Sequence, residues 1–295
     1  MLRLTLVAAL AVVALSGSAF AGFEGQTQNK FIVTYNVVPD VFGLFAFYTM
    51  PRTLREAKDL HFDWASERNP ADNNTDLYCR KGDHRVCVLF DKAGSVAGIQ
   101  LSVEAKELDN SGAPVDVLAI PEWRRNMIKS KEVYSNTAFF VSKAIIDAGG
   151  RDIEEDTLTA PDGLYILQTD TNGVETARLH VSNDQSDAEA AGFNEQSCFI
   201  GMGKHYFQSL TKESVCENHR PYFTLYGPKS KKLTGFGFTQ YGKPSQGRGW
   251  FEAPPALAAK TIAPNSPACM TEWLKEYGLF TMHVFFVARP YLTTC

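Results

Sequence analysis

The sequence lacks the short motifs that identify the commonest kinds of active site. It has no H-x-H, H-E-x-x-H or C-x-x-C spacing, with which neighbouring side chains bind zinc. It also has no G-x-S-x-G turn of an α/β-hydrolase and no glycine-rich loop that binds phosphate. A catalytic or metal-binding function would therefore have to be assembled from residues that lie far apart in the sequence.

Long apolar segments are equally scarce, because the sequence contains a single long run of almost entirely apolar residues. This run, Leu4–Leu15, follows Arg3 and precedes Ala19-Phe20-Ala21, an A-x-A cleavage site. It is too short to cross a bilayer, which takes roughly 20 residues. The pattern predicts a signal peptide over residues 1–21 and a secreted, extracellular mature protein over residues 22–295.

The chain has no excess of basic residues. Its 29 lysine and arginine residues are outnumbered by 33 aspartate and glutamate residues, which gives a net charge of −4. This balance argues against nucleic acid and anionic membrane as partners, and no membrane span is expected. The expected partner is an extracellular ligand or protein of unknown identity. Asn73-Asn74-Thr75 is a sequon that predicts a glycan on Asn73 if the source is a eukaryote.

Six cysteines follow the predicted signal peptide: Cys79, Cys87, Cys198, Cys216, Cys269 and Cys295. An even number of cysteines in a secreted chain favours disulfides over metal binding. Closing a short loop costs the least chain entropy. The expectation is therefore a sequential pairing, in which 79 bonds to 87, 198 to 216 and 269 to 295.

Three hairpins give the clearest structural signal. They pair residues 86–90 with 96–103, 163–168 with 174–181, and 222–226 with 233–239. Few segments have helical periodicity, and Pro51–Leu60 and Met270–Tyr277 are the two expected short helices. The pattern predicts a mainly β fold, a β-sandwich or a barrel-like sheet, braced by disulfides.

Two stretches of the chain, residues 79–141 and 198–287, resemble each other. Each has a pair of cysteines, a hairpin whose return strand carries a glycine, and a Phe-Phe pair near its end. This order predicts two pseudo-repeated halves. His283 and Glu252 have Thr137 and Ala119 at the matching places. The polar residues of a functional site are therefore expected in the second half.

Three residues of the second half form a candidate metal site: His205, Glu252 and His283. Two histidines and a carboxylate leave open coordination positions, as catalytic zinc and non-haem iron sites require. Met202 and Met282 are soft donors that favour copper instead, so zinc, copper and iron are all retained as candidates. The alternative is structural, since a single histidine on an apolar strand usually serves only packing.

Three functional hypotheses remain open. The first is an extracellular binding protein without catalytic activity, which the lack of a complete catalytic motif favours. The second is a metal-dependent oxygenase or hydrolase that uses the His/His/Glu set. The third is a secreted effector or structural component, such as a venom, salivary or matrix protein.

Overall fold

The computed structural model describes residues 26–34, 47–59, 64–68, 70–245 and 248–295. The predicted signal peptide, residues 1–21, lies outside these ranges. The described ranges contain fifteen strands and five short α-helices. In chain order these are β1 (Ile32–Thr34), β2 (Phe47–Thr49), α1 (Leu54–Asp59), β3 (Trp64–Glu67), β4 (Asp76–Arg80), β5 (Val86–Phe90), β6 (Val96–Glu104), α2 (Ala105–Asp109), β7 (Trp123–Ile128), β8 (Lys131–Phe139), α3 (Lys143–Asp147), β9 (Gly163–Thr169), β10 (Glu175–Ser182), β11 (Phe193–Phe199), β12 (Gly203–Gln208), β13 (Tyr222–Tyr226), β14 (Leu233–Tyr241), α4 (Ala256–Ile262), α5 (Ala268–Tyr277) and β15 (Leu279–Phe285).

The strands form two antiparallel sheets, and the prediction of a mainly β, sandwich-like fold is confirmed. The first sheet has the strand order β10-β9-β8-β6-β5-β4-β3, with β7 paired to β8. The second sheet has the order β11-β12-β13-β14-β15-β1-β2. The described helices number five rather than one or two. Two of the additional helices, α2 and α3, have five residues each, which is too short to produce a helical pattern in the sequence.

The hydrophobic core lies between the two sheets and takes side chains from both. Its central ring is Phe140, which follows β8 and contacts Phe31 and Phe286 at 5.2 Å between ring centroids. Phe140 also contacts Phe236 of the second sheet at 6.1 Å. Each such buried side chain contributes about 1.5–3 kcal/mol to folding. Contacts between rings of opposite sheets therefore hold the sandwich together.

The two sheets follow the same strand path. The run β4-β5-β6-β8-β9-β10 of the first sheet corresponds to β12-β13-β14-β15-β1-β2 of the second. A register shift occurs at the same place in both central hairpins, between Leu89 and Phe90 and between Leu225 and Tyr226. The second sheet is completed by β1 and β2, from the start of the described chain. The sequence comparison of residues 79–141 with residues 198–287 did not predict that β1 and β2 belong to the second sheet.

A glycine occupies the same register position in both sheets. Gly98 lies opposite Phe139, and Gly235 lies opposite Phe285. A Cβ at either glycine would lie 2.6 Å or less from a carbonyl oxygen of the neighbouring strand. The glycine that recurs in the two sequence stretches is therefore explained by the close approach of two backbones.

The disulfide between Cys79 and Cys87 agrees with the first expected pair. The two residues lie directly opposite each other in β4 and β5. The expected match between these cysteines and a pair in the second half is wrong, because the register places Phe207 and Phe223 at their positions. These two rings stack with centroids 5.0 Å apart. The first sheet links β4 and β5 through a covalent bond, whereas the second sheet links β12 and β13 through an aromatic pair.

The other two expected disulfides are wrong. Cys198 bonds to Cys295, with Cα atoms 5.8 Å apart, and Cys216 bonds to Cys269, with Cα atoms 6.2 Å apart. The loop-entropy argument failed because the fold separates Cys198 from Cys216. Cys198 lies near the end of the edge strand β11, whereas Cys216 packs beneath α4 and α5.

Candidate functional site

The three residues predicted as a site lie together on the outer face of the second sheet. His205 is on β12 and His283 is on β15, and residues adjacent to them in sequence belong to the core between the sheets. Because side chains alternate across a strand, the two histidines point to the opposite face. Glu252 joins this face through an isolated bridge to Thr281. All three side chains are buried, with 1–4% of each residue exposed.

His283 and Glu252 form a direct side-chain pair. Nδ1 of His283 lies 2.7 Å from Oε2 of Glu252. The same Oε2 accepts a hydrogen bond from the Thr281 hydroxyl at 2.9 Å. Since a carboxylate can only accept, the hydrogen of a neutral His283 ring is assigned to Nδ1, and Nε2 keeps its lone pair. The other carboxylate oxygen, Oε1 of Glu252, is buried and has no hydrogen-bond partner among the described residues.

His205 is the most deeply buried of the three residues. Its Nδ1 lies 3.2 Å from the Gly203 carbonyl oxygen, so the ring hydrogen is assigned to Nδ1. Its Nε2 makes no hydrogen bond of normal geometry within the described ranges. Burial, and then the nearby His283, lower the pKa of His205 to about 3. The carbonyl groups of Gly203 and Ser197 act on this pKa in the opposite direction but do not overcome burial.

The two imidazole rings meet edge to face, with centroids 6.2 Å apart. A metal bound by both rings would need nitrogen ligands at about 2 Å. In the part of the chain that the structure describes, no three side chains of His, Cys, Asp or Glu are arranged to hold a metal ion. The fold thus makes the predicted residues neighbours, whereas the metal itself stays a prediction.

A missing side chain on β14 allows the two histidines to approach each other. Gly237 lies opposite both Phe223 and His283 in the sheet. A Cβ on Gly237 would lie 2.0 Å from Cζ of Phe223 and 2.6 Å from a backbone oxygen of β15. The Phe223 ring therefore lies over the glycine. It contacts the rings of His205 at 5.7 Å and His283 at 4.9 Å between centroids.

The first sheet has other residues at the matching register positions. Gln100 and Thr137 occupy the places of Gly237 and His283, so the match of His283 with Thr137 agrees with the sequence comparison. The Thr137 hydroxyl donates to the Gln100 side chain at 3.5 Å. The first sheet therefore has the Gln100 side chain at the position where the second sheet has the Phe223 ring over Gly237.

The expected counterpart of Glu252 is wrong. Thr281 matches Ser135 in register, and the residue paired with Ser135 is Arg124 rather than Ala119. Ala119 instead ends a short 3-10 helix that precedes β7. An arginine thus stands in the first sheet where the second has a glutamate. Glu252 therefore has no acidic counterpart at the matching position of the first sheet.

A pocket opens above the two histidines and Glu252, between the outer face of the second sheet and helices α4 and α5. Its cavity volume is about 90 Å³, and the empty space that includes its open mouth is about 1020 Å³. His205, Glu252 and His283 form what we call the polar floor. Met202 also lines the pocket, whereas Met282 points into the core. The remaining walls are mainly apolar and include Phe207, Leu210, Val215, Ile262, Met270 and Leu279.

A second polar cluster lies beside the pocket, and sequence reasoning missed it. Arg220 lines the pocket and donates through Nε to Oε2 of Glu122 at 3.0 Å. Gln168 of the first sheet and Gln208 of the second each donate to Oε1 of Glu122 at 3.0 Å. The Glu122 side chain is fully buried and so connects the two sheets. No motif marks this cluster, because its members come from four separate segments.

Two histidines whose pKa values are lowered make stability depend on pH in a defined direction. Burial lowers the pKa of His205 to about 3 and that of His219 to about 4, from an ordinary value of 6.5. The unfolded chain therefore binds more protons than the folded chain between these values. Their contribution to stability is complete above pH 6.5 and is lost as the pH falls toward 3. We expect a loss from His205 alone of about 1–2 kcal/mol at pH 5, measured by urea unfolding.

The variant His205→Gln isolates this contribution. The difference in unfolding free energy between wild type and variant should change by that amount when the pH is lowered from about 7.5 to about 5. His180→Gln is the matched control, because His180 is exposed on β10, and its pH dependence should follow that of the wild type. An unchanged pH dependence in His205→Gln would show that His205 is not a neutral, buried ring.

Comparisons with known proteins add no functional information, since no family model, curated protein or solved structure matched the chain. None of the described helices combines the length and the apolar character that crossing a membrane requires. The function must therefore be inferred from the geometry of the site.

Proposed function

We propose that the protein is an extracellular binding protein that holds a small apolar molecule in the pocket above the polar floor. The observation that carries this proposal is the pocket itself, which combines apolar walls with a few convergent polar groups. Ligand sites of this kind are lined mainly by apolar side chains, with a small number of polar groups that orient the ligand.

The disulfides support a pocket that is formed before the ligand arrives. Cys216 lines the pocket and is bonded to Cys269 near the start of α5, so this bond attaches the helical wall to the segment before β13. Cys198 adjoins Phe199, another lining residue, and is itself bonded to Cys295. A preformed site loses less conformational entropy on binding than a flexible one does. These bonds therefore support a binding site whose walls are held in place before the ligand binds.

Two features support the extracellular location. Three disulfides within one chain are typical of an oxidising compartment. The apolar run before residue 22 is the segment that would direct the chain there. Asn73, the expected glycosylation site, lies exposed in a turn before β4, where a glycan has room.

A metal-dependent enzyme is the second candidate, because the unused atoms of the polar floor are all Lewis bases. Oε1 of Glu252 and Nε2 of His205 have no hydrogen-bond partner among the described residues. Nδ1 of His283 is occupied by Glu252, so a metal would have to use Nε2 of that ring. Elemental analysis of the purified protein decides between the candidates. About one equivalent of zinc, copper or iron per chain would favour the enzyme, and trace amounts would favour the binding protein.

Filling the pocket with a side chain tests the binding proposal. Ala258 lines the pocket from α4, and Ala258→Trp would place an indole in the space. We expect the affinity for an apolar fluorescent probe, N-phenyl-1-naphthylamine, to fall at least about tenfold, or 1.4 kcal/mol. The measurement is a titration of the oxidised protein that follows the fluorescence of the bound probe.

The control for this variant is Thr261→Trp. Thr261 lies on the same helix but is exposed and does not line the pocket. Its variant adds the same aromatic ring and should bind the probe as tightly as the wild type. Equal affinities for all three proteins would contradict binding in this pocket.

A further inference from the structure

The unused polar atoms of the polar floor share one property, which is that each accepts a hydrogen bond. Nδ1 of His283 donates its hydrogen to Glu252, and Nδ1 of His205 donates to the Gly203 carbonyl. In the neutral form of either ring, Nε2 is then an acceptor. Oε1 of Glu252 is a third acceptor, buried without a partner in the described ranges. An unsatisfied buried polar group costs about 1–3 kcal/mol, so the floor lacks a donor.

The charges around the polar floor also favour a ligand that donates hydrogen bonds over one that carries a negative charge. Glu252 is the acidic residue of the floor. Among the described residues that line the pocket, Arg220 is the only lysine or arginine, and it is already paired with Glu122. A ligand with a carboxylate head would bring a second negative charge to the floor without a free cation to compensate it. A neutral or positively charged donor meets no such penalty.

We infer that the ligand is an apolar molecule with a hydrogen-bond-donating head, a hydroxyl or an amine, and that the head binds on the polar floor. This inference rests on the proposed function and specifies the ligand class for the same pocket. The head donates to Oε1 of Glu252, and an amine can donate a second hydrogen to Nε2 of His283. The apolar body lies against the walls that Phe207 and Met270 help to form.

A series of compounds that share an unbranched ten-carbon chain and differ in the head group tests the inference. 1-Decanol, decylamine, methyl decanoate and decanoate are each titrated into the wild-type protein that carries bound N-phenyl-1-naphthylamine. We expect decanol and decylamine to displace the probe at concentrations at least about tenfold lower than decanoate and the methyl ester require. Displacement by decanoate at equal or lower concentration would overturn the inference.

The variant Glu252→Gln is designed to weaken or reverse this preference. Its amide oxygen can accept from His283 and Thr281 as Oε2 does, which leaves the amide NH₂ in the place of the unpartnered Oε1. The floor then presents a donor. We therefore expect decylamine to lose affinity by at least about tenfold and methyl decanoate to gain affinity. Glu213→Gln, which changes an exposed carboxylate near the pocket, is the control and should keep the wild-type order.

The outcomes separate this inference from the proposed function. If the probe binds wild type and not Ala258→Trp, while all four heads compete equally, the pocket still binds apolar molecules and the donor-head inference falls. If the probe fails to bind wild type, or binds Ala258→Trp equally well, the proposed function falls and the inference falls with it. If Glu252→Gln does not fold, the head-group series on the wild-type protein still decides the question.

Discussion

Replacing Cys198 and Cys295 together by serine is expected to lower the free energy of unfolding by about 4–5 kcal/mol. The bond joins residues that are 97 positions apart, so its loss returns a large amount of chain entropy to the unfolded state. Both cysteines are only partly buried or exposed, so the serine hydroxyls add little cost of their own. The measurement is urea unfolding of the oxidised protein, followed by tryptophan fluorescence.

The control is Thr294→Ala, which changes the residue beside Cys295 and keeps the disulfide. A substitution of this kind usually changes stability by no more than about 0.5 kcal/mol. If the double serine variant lost no more stability than Thr294→Ala, the bond between Cys198 and Cys295 would not hold the fold together as the structure indicates.

Removing the carboxylate of Glu122 is expected to have an effect of similar size. Glu122→Ala should lower the free energy of unfolding by about 3–5 kcal/mol, because it breaks a buried ion pair and leaves its partner without a counter-charge. The partner is Arg220, and the side-chain amides of Gln168 and Gln208 also lose their acceptor. Urea unfolding at neutral pH gives the difference directly.

An exposed ion pair provides the comparison. Lys92 and Asp76 lie 2.8 Å apart, and about half of each side chain is exposed. Asp76→Asn should therefore cost no more than about 1 kcal/mol. Equal losses in Glu122→Ala and Asp76→Asn would mean that Glu122 does not connect the two sheets.

The sequence predicted those parts of the fold that depend on neighbours in the chain. Alternating apolar residues and turn residues gave the central hairpins, such as residues 222–226 with 233–239. The recurring glycines, Gly98 and Gly235, gave the correct match between the two stretches because each meets a close backbone in its own sheet. Local pattern was sufficient for these features since hairpins pair residues that are close in sequence.

The parts that sequence could not predict depend on contacts between distant segments. The partners of Cys198 and Cys216 are set by where β11 and the two helices lie, which no local pattern records. The residue types of His205, His283 and Glu252 predicted that they share one site. The sequence did not show that Nδ1 of His283 would be hydrogen-bonded to Glu252. The pocket itself follows from the placement of α4 and α5 over the second sheet.

The most direct test of the binding proposal is to observe the polar floor while a ligand binds. Histidine side chains labelled with ¹⁵N are followed by NMR as 1-decanol is added to the wild-type protein. The expected result is a saturable shift of the imidazole signals of His205 and His283, with no change at the exposed His180. Unchanged His205 and His283 signals, at decanol concentrations that displace the fluorescent probe, would place the bound ligand elsewhere and contradict the proposal.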